Sequence, residues 1–259
     1  MERVISAPLF AACWLVGMLL MMEIGRRAGI RRLARDPAKG MAGLGPIEGA
    51  VFGLFGLLIA FTFSGGASRF DSRRQLIAEE ANDIGTAYLR LDLLPAGDQP
   101  ALRALFRDYV GSRLAVYRKL PDMDAAKAEL ARSEALQGEI WTKAVAATRE
   151  PGAHVDAAKL LLPSLNNMID ITTTRTMAAR MHPPPILYAL LFVLGLGCSL
   201  LAGYGMAEGK YRSWIHILGF TVIMGISVFV ILDLEYPRMG FIRLDAYDQV
   251  LVELRQKMQ

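Results

Sequence analysis

The run Gly49–Arg74, GAVFGLFGLLIAFTFSGGASRFDSRR, decides how the rest of the chain is read. It begins apolar and turns polar without a break. Gly49 to Phe63 carries no charge, whereas from Arg69 onward the residues are those of a solvated helix. Arg73-Arg74-Gln75-Leu76-Ile77 then opens an amphipathic pattern that continues to about Leu94. No proline interrupts the run, so it predicts one long helix that leaves a bilayer and carries on into water. Gly53, Leu57 and Phe61 stand at i, i+4 and i+8, on a single face. In a symmetric oligomer such a face lines a narrow apolar pore. Alternatively it is a helix-packing face, with small Gly49, Gly53 and Gly56 at the contact.

Working outward, three more apolar runs have the length of membrane spans. The four spans fall at about 7–24, 47–64, 186–206 and 215–232. The first has Arg3 in front of it and runs straight into Glu23, Arg26 and Arg27, without the small-x-small site of a cleaved leader. A basic linker, 25–46, follows it. The linker carries Arg26, Arg27, Arg31, Arg32, Arg35 and Lys39, then Gly40, Gly43, Gly45 and Pro46. It reads as a loop against lipid headgroups, because no lysine-plus-hydroxyl pattern follows the glycines to make a nucleotide-phosphate loop. Glu48 suits the start of the second span, where the helix dipole favours a carboxylate. Tyr204, Tyr211 and Trp214 lie where aromatic belts sit.

Residues 67–182 read as an extramembrane helical region. Leu76, Ile77, Ile84, Tyr88 and Leu91 have helical spacing, as do Leu102, Leu105, Phe106, Tyr109, Leu114 and Tyr117. Leu130, Leu136, Ile140, Trp141 and Val145 mark a third helix, and Asp156 to Arg180 a fourth. Turns fall at Pro95-Ala96-Gly97-Asp98 and Pro121-Asp122. The charges of this region nearly balance, 16 Lys plus Arg against 15 Asp plus Glu, and read as solvated faces of a bundle. The chain therefore divides into 1–66 with the first two spans, 67–182, 183–234 with the last two spans, and an amphipathic C-terminal helix in 235–259.

Composition fits a membrane protein with a water-exposed half: 53% hydrophobic residues with 21% charged ones. Net charge is +4, and no basic patch is interleaved with aromatics, which argues against nucleic acid. Cys13 and Cys198 both lie inside apolar runs and argue for neither a disulfide nor zinc. No nucleophile with a base, no metal cluster and no pair of carboxylates in an apolar setting suggests an enzyme or a cofactor. Four spans put both termini on one side together with 67–182. Charge does not say which side, because eight Lys plus Arg flank the spans on each.

A family resemblance rests on three separate landmarks. Leu58-Ile59-Ala60-Phe61, followed by Arg69-Phe70 and Arg73-Arg74, resembles the bestrophin pattern of an apolar pore helix ending in Phe and followed by an Arg-aromatic pair. His182-Pro183-Pro184-Pro185-Ile186-Leu187-Tyr188 resembles the entry to that family's third span. Asp233 to Gly240, DLEYPRMG, resembles its acidic stretch after the fourth span. More closely, the chain resembles the bestrophin-like domain family of bacterial membrane proteins. The resemblance implies an all-α, bestrophin-like membrane fold with four transmembrane helices and a helical extramembrane bundle. It implies a homo-oligomer, a pentamer, whose central pore is lined by the second span and passes anions such as chloride. It implies the cell (inner) membrane, with the termini and 67–182 in the cytosol. Carried over position by position, Gly53, Leu57 and Phe61 match the neck. Thr62, Phe63, Ser64, Arg69, Arg73 and Arg74 fall at the pore mouth, and Asp233 and Glu235 in the post-span acidic stretch. The chain departs from the pattern where Gly53 replaces a bulky neck residue and where two acidic residues are too few for a calcium site.

The resemblance, taken with the residues, thus implies an oligomeric ion channel without catalytic chemistry, metal or cofactor, whose partners are the bilayer, copies of itself and inorganic anions. A different class also fits the sequence: a non-conducting membrane scaffold or sensor whose helical region binds a protein partner.

Overall fold

The structure, a computed structural model, describes residues 7–35, 45–209, 212–238 and 240–258. Arg3, Lys39, Gly40, Gly43, Tyr211 and Met239 from the sequence reading lie outside the described residues. Eight α-helices follow in chain order among the described residues: α1 Ala7–Arg35, α2 Gly45–Leu89, α3 Gln99–Arg118, α4 Met123–Ala147, α5 Ala157–Arg180, α6 Pro185–Gly205, α7 Trp214–Glu235 and α8 Gln249–Lys257. Four helical segments are long and apolar enough to cross a membrane. The all-α membrane fold class read from the sequence holds, and no described residue is in a strand.

One expectation changes. The basic stretch after Ile24 is not a loop up to Pro46. α1 continues through Arg35, so Arg26, Arg27, Arg31, Arg32 and Arg35 are helical. Nothing in 25–35 breaks a helix except isolated Gly25 and Gly29, while Arg, Ala and Leu favour one, and Arg32 and Arg35 sit in the last turn where cations suit the dipole. At the other end, Gly45 and Pro46 open α2 instead of closing the linker, Pro being tolerated in a first turn that has no N–H partner to lose.

The chain forms two compact units. The first joins Met1–Ser68 to His182–Glu235 and holds α1, the apolar part of α2, α6 and α7. α1 packs on α6 and α7. The core is Trp14, Met18, Phe55, Leu191, Cys198 and Val228, with Phe192 edge-on to both Phe10 and Trp14. Backbones approach closely here. A Cβ on Gly203 would strike the carbonyl of Met22, and one on Gly25 the carbonyl of Leu200. That is how helices associate where lipid removes the hydrophobic drive between them and close packing must supply the attraction.

The second unit joins Arg69–Met181 to Tyr236–Gln259. α3 packs on α4 and α8, and α4 on α5. Its core takes Ile84, Tyr88 and Leu91 from α2 and the turn that follows it, Leu102, Phe106 and Tyr109 from α3, Ile140 from α4, Leu161, Leu165 and Met168 from α5, and Leu251 from α8. The Asp122 carboxylate accepts from the Ala125 N–H at 3.0 Å and caps α4.

Candidate functional site

α2 has a covered side and an uncovered side. Phe55 is buried in the core of the first unit, with Val51, Phe52, Leu58 and Ile59 packed around it, and Phe52 meets Phe220 edge-on at 5.9 Å. On the opposite side Leu57 is 52% and Phe61 67% exposed. Gly49, Gly53 and Gly56 have no described atom within 4 Å of where a Cβ would stand. Among the described residues of this chain these glycines therefore meet no packing partner, so a packing face here would need a partner from outside the chain. The glycines that meet another helix's backbone are Gly25 and Gly203 instead, while Gly195 and Gly225 make room for the side chains of Trp14 and Leu15.

Beyond the apolar run the predicted pore-mouth residues divide. The Thr62 hydroxyl donates to its own helix, to the Leu58 carbonyl at 2.8 Å with the Ile59 carbonyl at 3.0 Å. Its proton is spent there and is not offered outward. Phe63 and Ser64 are exposed. Arg69 is half-buried. Arg73 is buried and donates to the carbonyls of Ala178 at 3.1 Å and Met181 at 2.9 Å, which the last turn of α5 would otherwise leave without helical partners. Arg74 pairs with Asp71 at 3.2 Å and lies over the Tyr247 ring.

The three sequence landmarks include one meeting point. Asp233 and Glu235, in the last turn of α7, are each 1% exposed. The His182 Nδ1 lies 3.3 Å from the Glu235 Oε2, so the residue before the three prolines touches the acidic stretch. A Cβ on Gly66, just past the apolar run of α2, would stand 3.6 Å from the other Glu235 oxygen. A buried carboxylate requires a polar partner such as His182, and the missing side chain at Gly66 leaves room beside it. Among the described residues no group of three or more His, Cys, Asp or Glu side chains is placed to hold a metal ion.

The family model of the Bestrophin-like domain matches residues 13–246. The chain belongs to the Bestrophin-like family. Crystal structures of two point variants of a bacterial bestrophin homolog from Klebsiella pneumoniae have the same fold. One gives a TM-score of 0.73 over 97% of this chain and 99% of the other, the second 0.72 over 95% and 99%, each at 14% identity. A crystal structure described as a membrane protein gives 0.64 over 94% and 99%, at 13% identity. No curated protein sequence matches the chain.

In this bestrophin-like chain, the sequence reading missed a charged cluster inside the second unit. Glu80 and Arg113 are fully buried and Arg175 nearly so. The Arg113 Nε donates to Glu80 at 2.5 Å, and Arg175 to the other Glu80 oxygen. Arg175, Arg238 and Arg113 all lie over the Tyr117 ring, at 4.4, 4.2 and 5.6 Å from its centroid. Arg238 in turn grips Asp248 with two bonds, 2.6 and 3.0 Å. Burial pushes the Glu80 carboxyl up, but the charges of Arg113 and Arg175 and their hydrogen bonds outweigh it and hold it below its ordinary value. Burial likewise opposes the Arg113 cation, and Tyr117 and Glu80 more than restore it, so its pKa is raised. Next to the cluster, burial pushes the Tyr109 phenol up to about 12. Its hydroxyl shares a buried network with Thr172 at 3.1 Å and Gln137 at 3.0 Å. These charges read as solvated from the sequence; they are the polar core of the second unit.

Proposed function

We propose that the chain is one subunit of a homo-oligomeric anion channel, a pentamer, with its pore along the uncovered side of the second span. Membership of a family whose structural relatives are bestrophin homologs supports the channel class. The observation that carries the pore assignment is the bare side of α2, with Gly53 open, Leu57 and Phe61 exposed, and the opposite side packed into the core. Such a neck strips water from a permeating ion and favours weakly hydrated anions. The ring edges of Phe61 and Phe63 carry partial positive charge toward them. Ser64, Arg69 and Arg74 are the mouth residues with polar groups toward an anion, while Thr62 and Arg73 hold the backbone that presents them. Glu235 braces the exit of the fourth span through His182, with Asp233 buried in the same helical turn. The channel sits in the inner membrane with residues 67–182 and both termini in the cytosol, and it has no catalytic chemistry.

The test is halide and nitrate flux into liposomes carrying the purified protein, beside a Phe61→Ala protein. Flux that rises severalfold, or changes its nitrate-to-chloride ratio, in the variant supports the neck. Equal flux in both places the pore elsewhere. Flux in neither, with the oligomer intact, replaces the channel with a membrane scaffold.

A further inference from the structure

A cavity of about 280 Å³ opens in the first unit where α1, the end of α6 and the start of α7 come together. Arg26, Arg212, Ser213 and Gly209 line its polar part, and Met206 and Ile217 its apolar part. Arg26 has no hydrogen-bond or ion-pair partner among the described residues. Arg212 pairs with Glu23, to which Arg27 also donates at 2.8 Å, and stacks on Trp214 at 5.4 Å. Two guanidiniums, those of Arg27 and Arg212, thus share one carboxylate. Two other carboxylates belong to this region: Glu48 faces Gly205, where a Cβ would stand 3.5 Å from its Oε2, and Glu208 stands in the turn between Met206 and Gly209 with an interaction of its own. Around them Arg32 donates to the Tyr204 hydroxyl at 2.7 Å, so the aromatic and basic residues of a membrane interface surround the opening.

We propose that this cavity binds a phosphate group, and that the group is the phosphodiester of an anionic phospholipid. The position decides the source. The cavity lies where the apolar part of α1 gives way to its arginines, at the end of α6 and the start of α7, all three being long and apolar enough to cross a membrane, and this is the level at which headgroups lie. Its volume is that of about nine waters, room for a phosphate with its glycerol but not for an acyl chain, which would run along the apolar wall at Ile217. The chemistry is that of an arginine fork: Arg26 supplies a cation with no hydrogen bond among the described residues, Arg212 a second one already oriented by Glu23 and Trp214, and Ser213 a hydroxyl beside them. Ser213 is itself held by the His216 Nδ1 at 2.5 Å, which leaves its oxygen lone pairs or its proton for one partner at a time.

The inference does not depend on ion conduction. Full-length protein is exchanged into mixed dioleoylphosphatidylglycerol and dioleoylphosphatidylcholine nanodiscs, released, and examined by native mass spectrometry for retained lipid. The wild type retains phosphatidylglycerol over phosphatidylcholine. Arg26→Gln and Arg212→Gln each weaken that retention about fivefold and the double variant about 25-fold, from roughly 1 kcal/mol per arginine at a membrane surface. Arg26→Lys restores most of it, and Arg31→Gln, an exposed helical arginine outside the cavity, leaves it unchanged. Retention equal in wild type and double variant overturns the site. Inorganic phosphate that displaces the lipid at micromolar concentration, in the wild type but not in the double variant, overturns the lipid assignment and makes the occupant soluble phosphate. A double variant that does not elute as the wild-type oligomer is replaced in the comparison by the Arg26→Gln and Arg26→Lys pair, which alone must differ.

Discussion

Replacing Glu80 by Gln removes one negative charge from the centre of the second unit while keeping the volume and one acceptor oxygen. Arg113, fully buried, and Arg175, 6% exposed, then face no carboxylate at that point. Removing one partner of a buried ion pair costs about 3–5 kcal/mol, and Gln, which keeps a hydrogen bond, belongs at the lower end. For a chain of this size about 3 kcal/mol is a fall of roughly 6–12 °C in apparent Tm. The assay is thermal unfolding of the purified full-length protein in neutral detergent, read by near-UV circular dichroism, with exposed Glu79→Gln as the control. Glu79→Gln should move Tm by less than about 2 °C. The pH dependence has a fixed sign. The Glu80 carboxyl is held below its ordinary value, so its stabilisation is fully present above the unfolded value of about 4.3 and is lost as pH falls through the lower folded value. The gap between wild type and Glu80→Gln therefore stays constant from pH 8 to 5, begins to close below about 4.3, and keeps closing with further acid. A Glu80→Gln protein as stable as Glu79→Gln at pH 7 would refute the reasoning, as would a gap that widens in acid.

Tyr109→Phe leaves Gln137 and Thr172 without a shared partner and should cost about 1–3 kcal/mol at pH 7. Because burial raises the phenol to about 12, the wild type should also lose up to about 3 kcal/mol as pH rises from 10 to 12, a slope that Tyr109→Phe abolishes in alkaline melts. Gly203→Val drives a side chain into the Met22 carbonyl and should cost at least about 1–3 kcal/mol, measured as lost Tm and folded yield. Gly53→Ala, facing open space, should be neutral for folding or stabilise by up to about 1 kcal/mol. Asp248→Asn weakens the double bond to Arg238, and limited proteolysis should then cut within 236–258 several times faster than in the wild type, with the rest of the chain equally protected.

The spans and the helices of the second unit were legible because apolar runs and helical periodicity write themselves directly into sequence. The end of α1 was not: arginines after a span read as a loop, yet nothing in Arg26–Arg35 stops a helix. The buried charges were missed for a different reason. Glu80 stands three residues after Ile77 and four before Ile84; Arg113 stands four after Tyr109; Arg175 stands four after Ile171. All three are in register with the apolar stripes of their own helices. A charge in register is the local signal of burial, but it becomes a prediction only when a partner is known. The partners lie 33 and 95 residues apart in sequence, beyond the reach of any local pattern. His182 and Glu235, 53 residues apart, belong to separate landmarks of the sequence, and only the fold brings them together.

Gly49, Gly53 and Gly56 cost α2 about 1 kcal/mol each relative to Ala, so about 3 kcal/mol is lost on one side of one helix. Elsewhere in the first unit glycine has a visible purpose, since Gly25 and Gly203 let α1 and α6 touch backbone to backbone. At Gly49, Gly53 and Gly56 no such contact exists among the described residues of the chain. A side that merely met lipid tails would be better served by Leu or Ala, which favour the helix and are equally apolar. Glycine gains its use where something from outside the subunit must come close: the same helix of another copy, or an ion passing along an axis between copies. Both belong to the oligomeric channel proposed above. They also make different demands, because Gly53→Leu would loosen a helix contact but narrow a pore. If the bare side of α2 surrounds an axis, Gly53→Leu should preserve the oligomer and reduce flux. If it meets a neighbouring helix, the same substitution should break the oligomer before flux can be measured.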